Sequence, residues 1–257
     1  LINGRITKKS FKRWIVVSSL AKEIFNTFDL CLSSSKESMK YLRQLNVRNL
    51  KYIGNIKLAS QLAEEPGDKK NKNIFNKKKV WCAASTHEGE EIFCLKTHIN
   101  IKKIYKNLIT IIIPRHINRS NEINLLCKKF DLNSQILNNN QLIDKKKEII
   151  IINSFGSLPR YFKYSKSVFI GKSTLKKLDQ VGGQNPIEAA KLGCKIYHGP
   201  YVYNFKEIYE LFKSYKIAEQ IKDEKDFSNK LIEDLKKPKI KNNKINKIID
   251  RLGKKIL

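Results

Sequence analysis

The chain has 257 residues, of which 52 are Lys or Arg and 24 are Asp or Glu, so its net charge near neutrality is +28. Hydrophobic residues make up 41 %, with 12 Phe and 10 Tyr, which supplies a core and excludes disorder over most of the length. No signal-peptide pattern is present and no apolar run nears the roughly 18 residues of a membrane span, so membrane contact by this segment is expected to be peripheral.

Residues 8–26 carry apolar positions at helical spacing (Phe11, Trp14, Ile15, Leu20, Ile24, Phe25). Residues 28–32 read as a short strand, Ser33-Ser34-Ser35 caps a helix through about Leu45, and Lys51-Tyr52-Ile53 forms another strand ending at Gly54-Asn55. These units lack an opening strand, as expected for the tail of a domain cut from its beginning, so residues 1–63 are assigned to the end of an N-terminal domain. Residues 64–79 hold Glu64-Glu65-Pro66-Gly67-Asp68 and a Lys/Asn run, and are expected to be a linker.

From Lys79 the pattern is regular. Val80–Ala84 predicts a strand leading through Ser85-Thr86-His87-Glu88 into a helix to about Tyr105. Leu108–Ile113 predicts a strand ending at Pro114-Arg115-His116, with a helix near 121–130 beyond it. A weak strand at 135–137 precedes the strand 148–152, which ends at Ser154-Phe155-Gly156. A helix over 158–164, the strand 168–171, a helix from Pro186, the strand 195–197 and a helix over 205–213 complete residues 80–222. Near-continuous apolar strands alternating with amphipathic helices predict an α/β fold with a doubly wound parallel sheet. Beyond Asp223 the chain is Lys-rich and weakly amphipathic; residues 223–257 are expected to form a solvated basic helical segment, with a membrane-facing surface as the alternative.

In such sheets ligands bind beyond the carboxyl ends of the strands, where Ser85-Thr86-His87, Pro114-Arg115-His116, Phe155-Gly156-Ser157 and Gly182–Glu188 all fall. Asn185 is expected to be an N-cap with Pro186 at the first helical position and Glu188 at the third. Backbone N–H groups at such a start favour a phosphate, and an adjacent carboxylate can accept from a ribose hydroxyl, so the segment suggests a nucleotide site, the alternative being a capping box that only holds the helix. Ser85 and Glu88 also have capping-box spacing, read as a cap rather than as catalysis. His87 and His116 either finish strand-end turns or touch a ligand.

Cys31, Cys82, Cys94, Cys127 and Cys194 are odd in number and lack CxxC spacing. They read as buried free thiols of a reducing compartment, not as a disulfide frame or zinc site. The positive charge suits nucleic acid, anionic lipid or a phosphorylated glycolipid. Arg occupies only eight positions and no RNA-binding aromatic signature is present, so nucleic acid is not the expected partner.

Trp81–Glu91, Ile113–His116, Gly182–Ala190, His198-Gly199-Pro200 and Asn204-Phe205, with Leu1–Ile6 and Gly54–Lys57, together resemble the 3-deoxy-D-manno-octulosonic acid (Kdo) transferases. The resemblance runs in register to about residue 215. It implies a GT-B architecture of two Rossmann-like domains, the chain holding the tail of the first and the whole of the second. It implies inverting, metal-independent transfer of Kdo from CMP-Kdo to a lipid A precursor (lipid IVA) in lipopolysaccharide core synthesis, with no cofactor, at the cytoplasmic face of the bacterial inner membrane beside anionic lipid. Pro114, Arg115, Phe155, Gly156, Ser157, Asn185, Pro186, Ile187 and Glu188 would hold CMP, with Ser85, His87, His116, Gly183 and Gln184 as further donor contacts. Arg115 offers a guanidinium fork, and no Asp-x-Asp pair is present for a metal.

Two departures stand out. Phe155-Gly156-Ser157 replaces the family's usual Met-Gly-Glu, and the turn from Gly171 to Gly182 is longer, adding Lys172, Lys176 and Lys177. The general base would lie early in the N-terminal domain, so no residue here is assigned that role, and the 257 residues alone are expected to bind nucleotide weakly and to transfer nothing. The alternatives are another GT-B enzyme using a UDP sugar (a transferase or an epimerase), or a non-catalytic basic remnant that binds membrane or nucleic acid.

Overall fold

The helical run expected over residues 8–26 breaks at Val17, whose φ of −117° and ψ of 48° leave the helical region, giving α1 (Lys8–Val16) and α2 (Ser18–Asn26). The break leaves Ile15, Leu20 and Ile24 exposed, while Phe11, Trp14 and Phe25 pack inward. The computed structural model describes residues 1–62, 70–179, 181–236 and 243–254. It forms two units, Leu1–Gln61 with Lys247–Leu257, and Leu62–Asn246.

In the first unit, β1 (Cys31–Ser33) and β2 (Leu50–Tyr52) pair in parallel across α3 (Lys36–Gln44). The strand expected over 28–32 therefore starts three residues late; Phe28 and Leu30 instead lie partly open to solvent behind the end of α2. Ser35 caps α3 as expected, its hydroxyl accepting from Ser38 N at 3.0 Å. Ile6, Ala21, Cys31, Leu42, Leu45 and Val47 form the small core, and Phe11 stacks on Tyr41 at 4.6 Å.

The second unit opens with α4 (Lys72–Asn76), inside the span expected to be linker. Phe75 of α4 is buried against Tyr161 and Tyr164, at ring distances of 6.3 and 4.7 Å, so this end of the span packs on the unit it precedes. Residues 64–69 lie outside the described residues.

Then come β3 (Lys79–Thr86), α5 (Glu90–Lys102), β4 (Leu108–Pro114), α6 (Ser120–Lys129), β5 (Ser134–Leu137) and β6 (Ile149–Ile152). The chain continues through α7 (Leu158–Phe162), β7 (Ser167–Ile170), α8 (Ile187–Lys191), β8 (Lys195–His198), α9 (Lys206–Ser214), β9 (Ala218–Gln220) and α10 (Glu224–Lys236). The sheet is seven-stranded in the order β5-β6-β4-β3-β7-β8-β9, and every pairing is parallel. All residues of β4, β6 and β7 are buried, as a sheet covered on both faces demands. The strand order reverses beside β3, which has β4 on one side and β7 on the other, and this is where a doubly wound sheet opens a crevice.

The solvated helix expected beyond Asp223 is not what α10 makes. Phe227, Leu231 and Leu235, four residues apart, are all buried, and Phe227 meets the rings of Trp81, Phe93, Phe169 and Tyr197 at 5.3 to 5.8 Å. Lysines lower the helix's mean hydropathy, but the stripe alone covers α5 and the sheet. α11 (Asn243–Lys254) follows, and its residues from Lys247 group with the first unit, where Ile249 is fully buried.

Candidate functional site

Because every strand is parallel, the strand ends singled out in the sequence lie along one edge of the sheet. At the crevice β3 departs from regular geometry: its register against β4 shifts between Ala84 and Thr86, and Ser85 takes a left-handed φ of 55°. Ser85 is thus still in the strand and does not cap α5. Gly89 stands at the helix start with φ 96° and no side-chain cap, so the expected Ser85–Glu88 box does not form.

The carboxylate that closes this turn is Glu90, which is fully buried. It accepts from His87 N at 3.0 Å and, across the crevice, from Lys172 N at 2.6 Å, Ser173 N at 2.8 Å, Thr174 N at 3.1 Å and Thr174 Oγ1 at 2.9 Å. Lys172 is also left-handed, at φ 59°. Gly171 permits the approach, since a Cβ there would meet Ser85 O at 2.5 Å and Glu90 Oε2 at 2.8 Å.

His87 and His116 are brought together, their rings 6.0 Å apart, and His87 Nδ1 lies 3.1 Å from Ser85 O. Burial lowers the His87 pKa; Ser85 O and Glu90 oppose the shift, and the nearby Lys172 ammonium adds to it. Arg115 N donates to Thr86 O at 3.0 Å, while its exposed guanidinium makes no bond to a described residue. One turn on, Arg119 pairs with buried Glu91 at 2.7 Å and with Glu122 at 3.1 Å. Burial pushes the Glu91 carboxyl up, and Arg119 only partly offsets it.

On the other side of β3, Gly183 N donates to Lys172 O at 2.6 Å and Tyr201 N to Ser173 O at 2.9 Å, which ties the 181–184 and 199–201 loops to the β7 end. Tyr209 OH takes the Gln184 carbonyl at 2.9 Å. His198 is buried against Tyr209, rings 4.4 Å apart, and burial lowers its pKa to about 4. Asn185 Oδ1 accepts from Ile187 N at 3.1 Å, closing a turn just before the helix, but Asn185 is not the N-cap: that position is Pro186, which has no side-chain cap. The helix begins one residue later than expected, leaving Pro186 as the flanking residue and Glu188 at the second helical position. The half-buried Glu188 carboxylate bonds no described residue. Lys176 and Lys177 of the lengthened turn are exposed on a single 3₁₀ turn.

Phe155, Gly156 and Ser157 follow β6, on the far side of β4 from the crevice. Phe155 is 79 % exposed, and Ser157 is turned inward, its hydroxyl donating to Ser154 O at 3.1 Å. Gly156 has φ 72° with open space where a Cβ would stand. With Asn139, Asn140 and Arg160 these residues line a polar cavity of about 280 Å³.

All five cysteines are buried and outside any disulfide, and burial pushes the thiols of Cys31, Cys82, Cys94 and Cys127 up, that of Cys127 to about 11. Among the described residues no helix is long and apolar enough to cross a membrane.

Glu90 escaped the sequence reading, because a carboxylate in a helix's first turn is ordinary complement to the helix dipole. Only the loop some eighty residues later, which covers it, reveals its use.

The doubly wound parallel sheet with its crevice beside β3 has the Rossmann-like fold of a GT-B domain. Solved structures agree. The C-terminal CMP-Kdo binding domain of WaaA from Acinetobacter baumannii matches with a TM-score of 0.60 at 21 % identity, over 73 % of this chain and 93 % of that one. HepE of Anabaena in complex with UDP matches with a TM-score of 0.53 at 12 % identity, over 92 % and 63 %. At these identities the likeness is one of fold.

Sequence narrows the class. Residues 1–60 match the family described as 3-deoxy-D-manno-octulosonic-acid transferase (kdotransferase). The 3-deoxy-D-manno-octulosonic acid transferase of Rickettsia felis is 30 % identical over 234 residues, 90 % of this chain and 49 % of that protein. The enzyme of the same name from Haemophilus influenzae is 27 % identical over 82 % of this chain and 50 % of its own length. Over most of its length the chain is thus similar to Kdo transferases, and it spans about half the length of the curated relatives it matches.

Proposed function

We propose that this chain supplies the donor-binding half of an enzyme that transfers Kdo from CMP-Kdo to a lipid A precursor, with inversion and without a metal, at the cytoplasmic face of the inner membrane. The observation that carries the reading is the similarity to Kdo transferases across nine-tenths of the chain, joined to a crevice edge that leaves Arg115 and Glu188 without partners among the described residues. Arg115 presents a bidentate fork to the donor's phosphate or base oxygens. At the α8 start, where Pro186 has no N–H and that of Ile187 is taken by Asn185 Oδ1, the Asn185 and Glu188 amides are offered to the phosphate and the Glu188 carboxylate to ribose hydroxyls. Gly156 leaves its backbone open to the ligand, and His87 and His116 face the same edge. The surplus of positive charge suits the acceptor's phosphates and anionic lipid. No residue of these 257 is assigned as the general base.

Calorimetric titration with CMP, with UMP as control and repeated on Glu188→Ala, tests the reading. Selective CMP binding that weakens about tenfold in the variant is expected, a loss of the order of one charge-assisted hydrogen bond. UMP binding as tight as CMP would favour a UDP-sugar enzyme, and no binding of either nucleotide would overturn the donor site.

A further inference from the structure

The best-satisfied ionisable group on the crevice edge takes no part in the reading above. Glu90 has no exposed surface, yet both carboxylate oxygens are fully used: Oε2 by the amides of His87 and Lys172, Oε1 by the amides of Ser173 and Thr174 and the Thr174 hydroxyl. Three consecutive amides, 172 to 174, converge on it with Lys172 left-handed, which is the concave nest that backbone N–H groups build around an anion. The anion here is the chain's own. Its donors come from two loops on opposite sides of the order reversal, one after β3 and one after β7.

What those loops carry explains the use. The β3 loop bears His87; the β7 loop bears Lys172, whose carbonyl accepts from Gly183, and Ser173, whose carbonyl accepts from Tyr201 N. Ser173 Oγ donates to Ile170 O at 2.7 Å and accepts from Gly199 N at 2.9 Å. Gly199 has no room for a Cβ, which would meet Ser173 O at 2.2 Å. Fixing 172–174 therefore fixes the start of the 183–188 stretch and the loop after β8 in one step.

We propose that Glu90 is a positioning residue of the donor site, fastening the β3 loop to the β7 loop so that His87, Lys172 and the 183–188 stretch hold their places around the crevice. This rests on the donor-site reading above. It also assigns the 172–174 amides: they are committed to Glu90, and a donor phosphate is held by other groups, the Asn185–Glu188 start and Arg115.

Glu90→Gln keeps size and shape but puts an NH₂ against backbone donors. Thr174→Val removes one hydrogen bond at 2.9 Å and keeps the volume, so it serves if the first variant fails to fold. Two measurements are made on each variant and on the parent chain: amide hydrogen exchange at 87 and 172–174, and CMP affinity by calorimetry well below the melting transition. A purely structural role would lower the melting temperature and leave the affinity of the folded protein unchanged. The expected result is faster exchange at those four amides, with CMP affinity down about tenfold in Glu90→Gln, where buried donors lose their acceptor, and about threefold in Thr174→Val, where one hydroxyl donor is lost. Unchanged exchange, or faster exchange with unchanged CMP affinity, overturns the proposal. If the parent chain binds no CMP, the donor-site reading falls and the positioning role falls with it, while faster exchange in the variant would still establish the fastening of the two loops.

Discussion

At the amino edge of the large sheet, ionisable groups are bound to one another. His98, fully buried, meets Thr110 Oγ1 at 2.7 Å through Nδ1 and Glu148 Oε2 at 3.3 Å through Nε2. Glu148 also accepts from Asn133 N at 3.0 Å and pairs with Lys102. Asp234 takes Tyr197 OH at 2.8 Å and Ser167 Oγ at 2.6 Å. At the carboxyl edge Glu90 is satisfied by backbone and a threonine, Glu91 and Glu122 pair with Arg119, and Arg115 and Glu188 bond no described side chain. The same fold thus uses its charges in two ways. Those at the amino edge hold strands together; at the carboxyl edge Glu90, Glu91 and Glu122 hold loops together while Arg115 and Glu188 are left for a ligand, as a doubly wound sheet allows beyond its strand ends.

The sharpest test of that division is Glu148→Ala. Removing one partner leaves His98, the Asn133 amide and Lys102 unanswered, and breaking a buried pair in this way costs about 3 kcal/mol or more. Urea unfolding should report that loss. CMP affinity of the folded variant should match the parent's; a shared loss would mean that the two edges are coupled.

Acid gives the next largest effect, and it acts at both edges. Burial lowers His198 from an ordinary value of 6.5 to about 4, and burial also lowers His98, with Glu148 opposing the shift. The folded protein holds both rings neutral, whereas the unfolded chain protonates them near 6.5. The unfolded state therefore binds more protons in this range. Stability is complete above about 6.5 and falls as pH drops toward about 4, by about 3 kcal/mol for His198. Unfolding free energies at pH 7 and pH 4.5 for the parent, His198→Gln and His98→Gln should show each variant losing its own share of the slope. Burial pushes Glu148 up, but bonds from His98, Lys102 and the Asn133 amide hold it at about 2, so in the folded protein it stays ionised down to pH 4.5 and its opposition to the His98 shift persists over this range.

Strands were the most legible part of the chain, because a sheet covered on both faces needs unbroken apolar runs, and Leu108–Ile113 and Ile149–Ile152 have no other reading. β9 escaped notice, as three residues with one buried apolar member carry almost no periodicity. α10 escaped the sequence because its few apolar residues count for less in a hydropathy average than the charged residues around them, while three spaced by four suffice to pack a helix. At the site, residue types were readable and partners were not. Asn185 could be given a local side-chain bond from its neighbours alone, since that bond spans two residues, although the cap position falls on Pro186. Glu90 could not, since its bonds span more than eighty. Long-range satisfaction of a polar group is a property of topology, and a single sequence gives it no local mark.

Arg115→Ala should leave the smallest trace on the fold and so completes the contrast with Glu148. Its backbone amide, which any residue supplies, keeps the bond to Thr86 O. Its exposed guanidinium touches no described partner, so unfolding free energy should shift by no more than about 0.5 kcal/mol. If the fork serves the donor, CMP affinity should fall about tenfold and the salt dependence of binding should flatten, because a charge-assisted bidentate contact is lost. Titration at two ionic strengths separates the possibilities. A weaker affinity with an unchanged salt response would mean that Arg115 shapes the loop and leaves the anion to others. An unchanged affinity would move the phosphate seat to the Asn185–Glu188 start alone, where backbone N–H groups carry no net charge and salt should matter little.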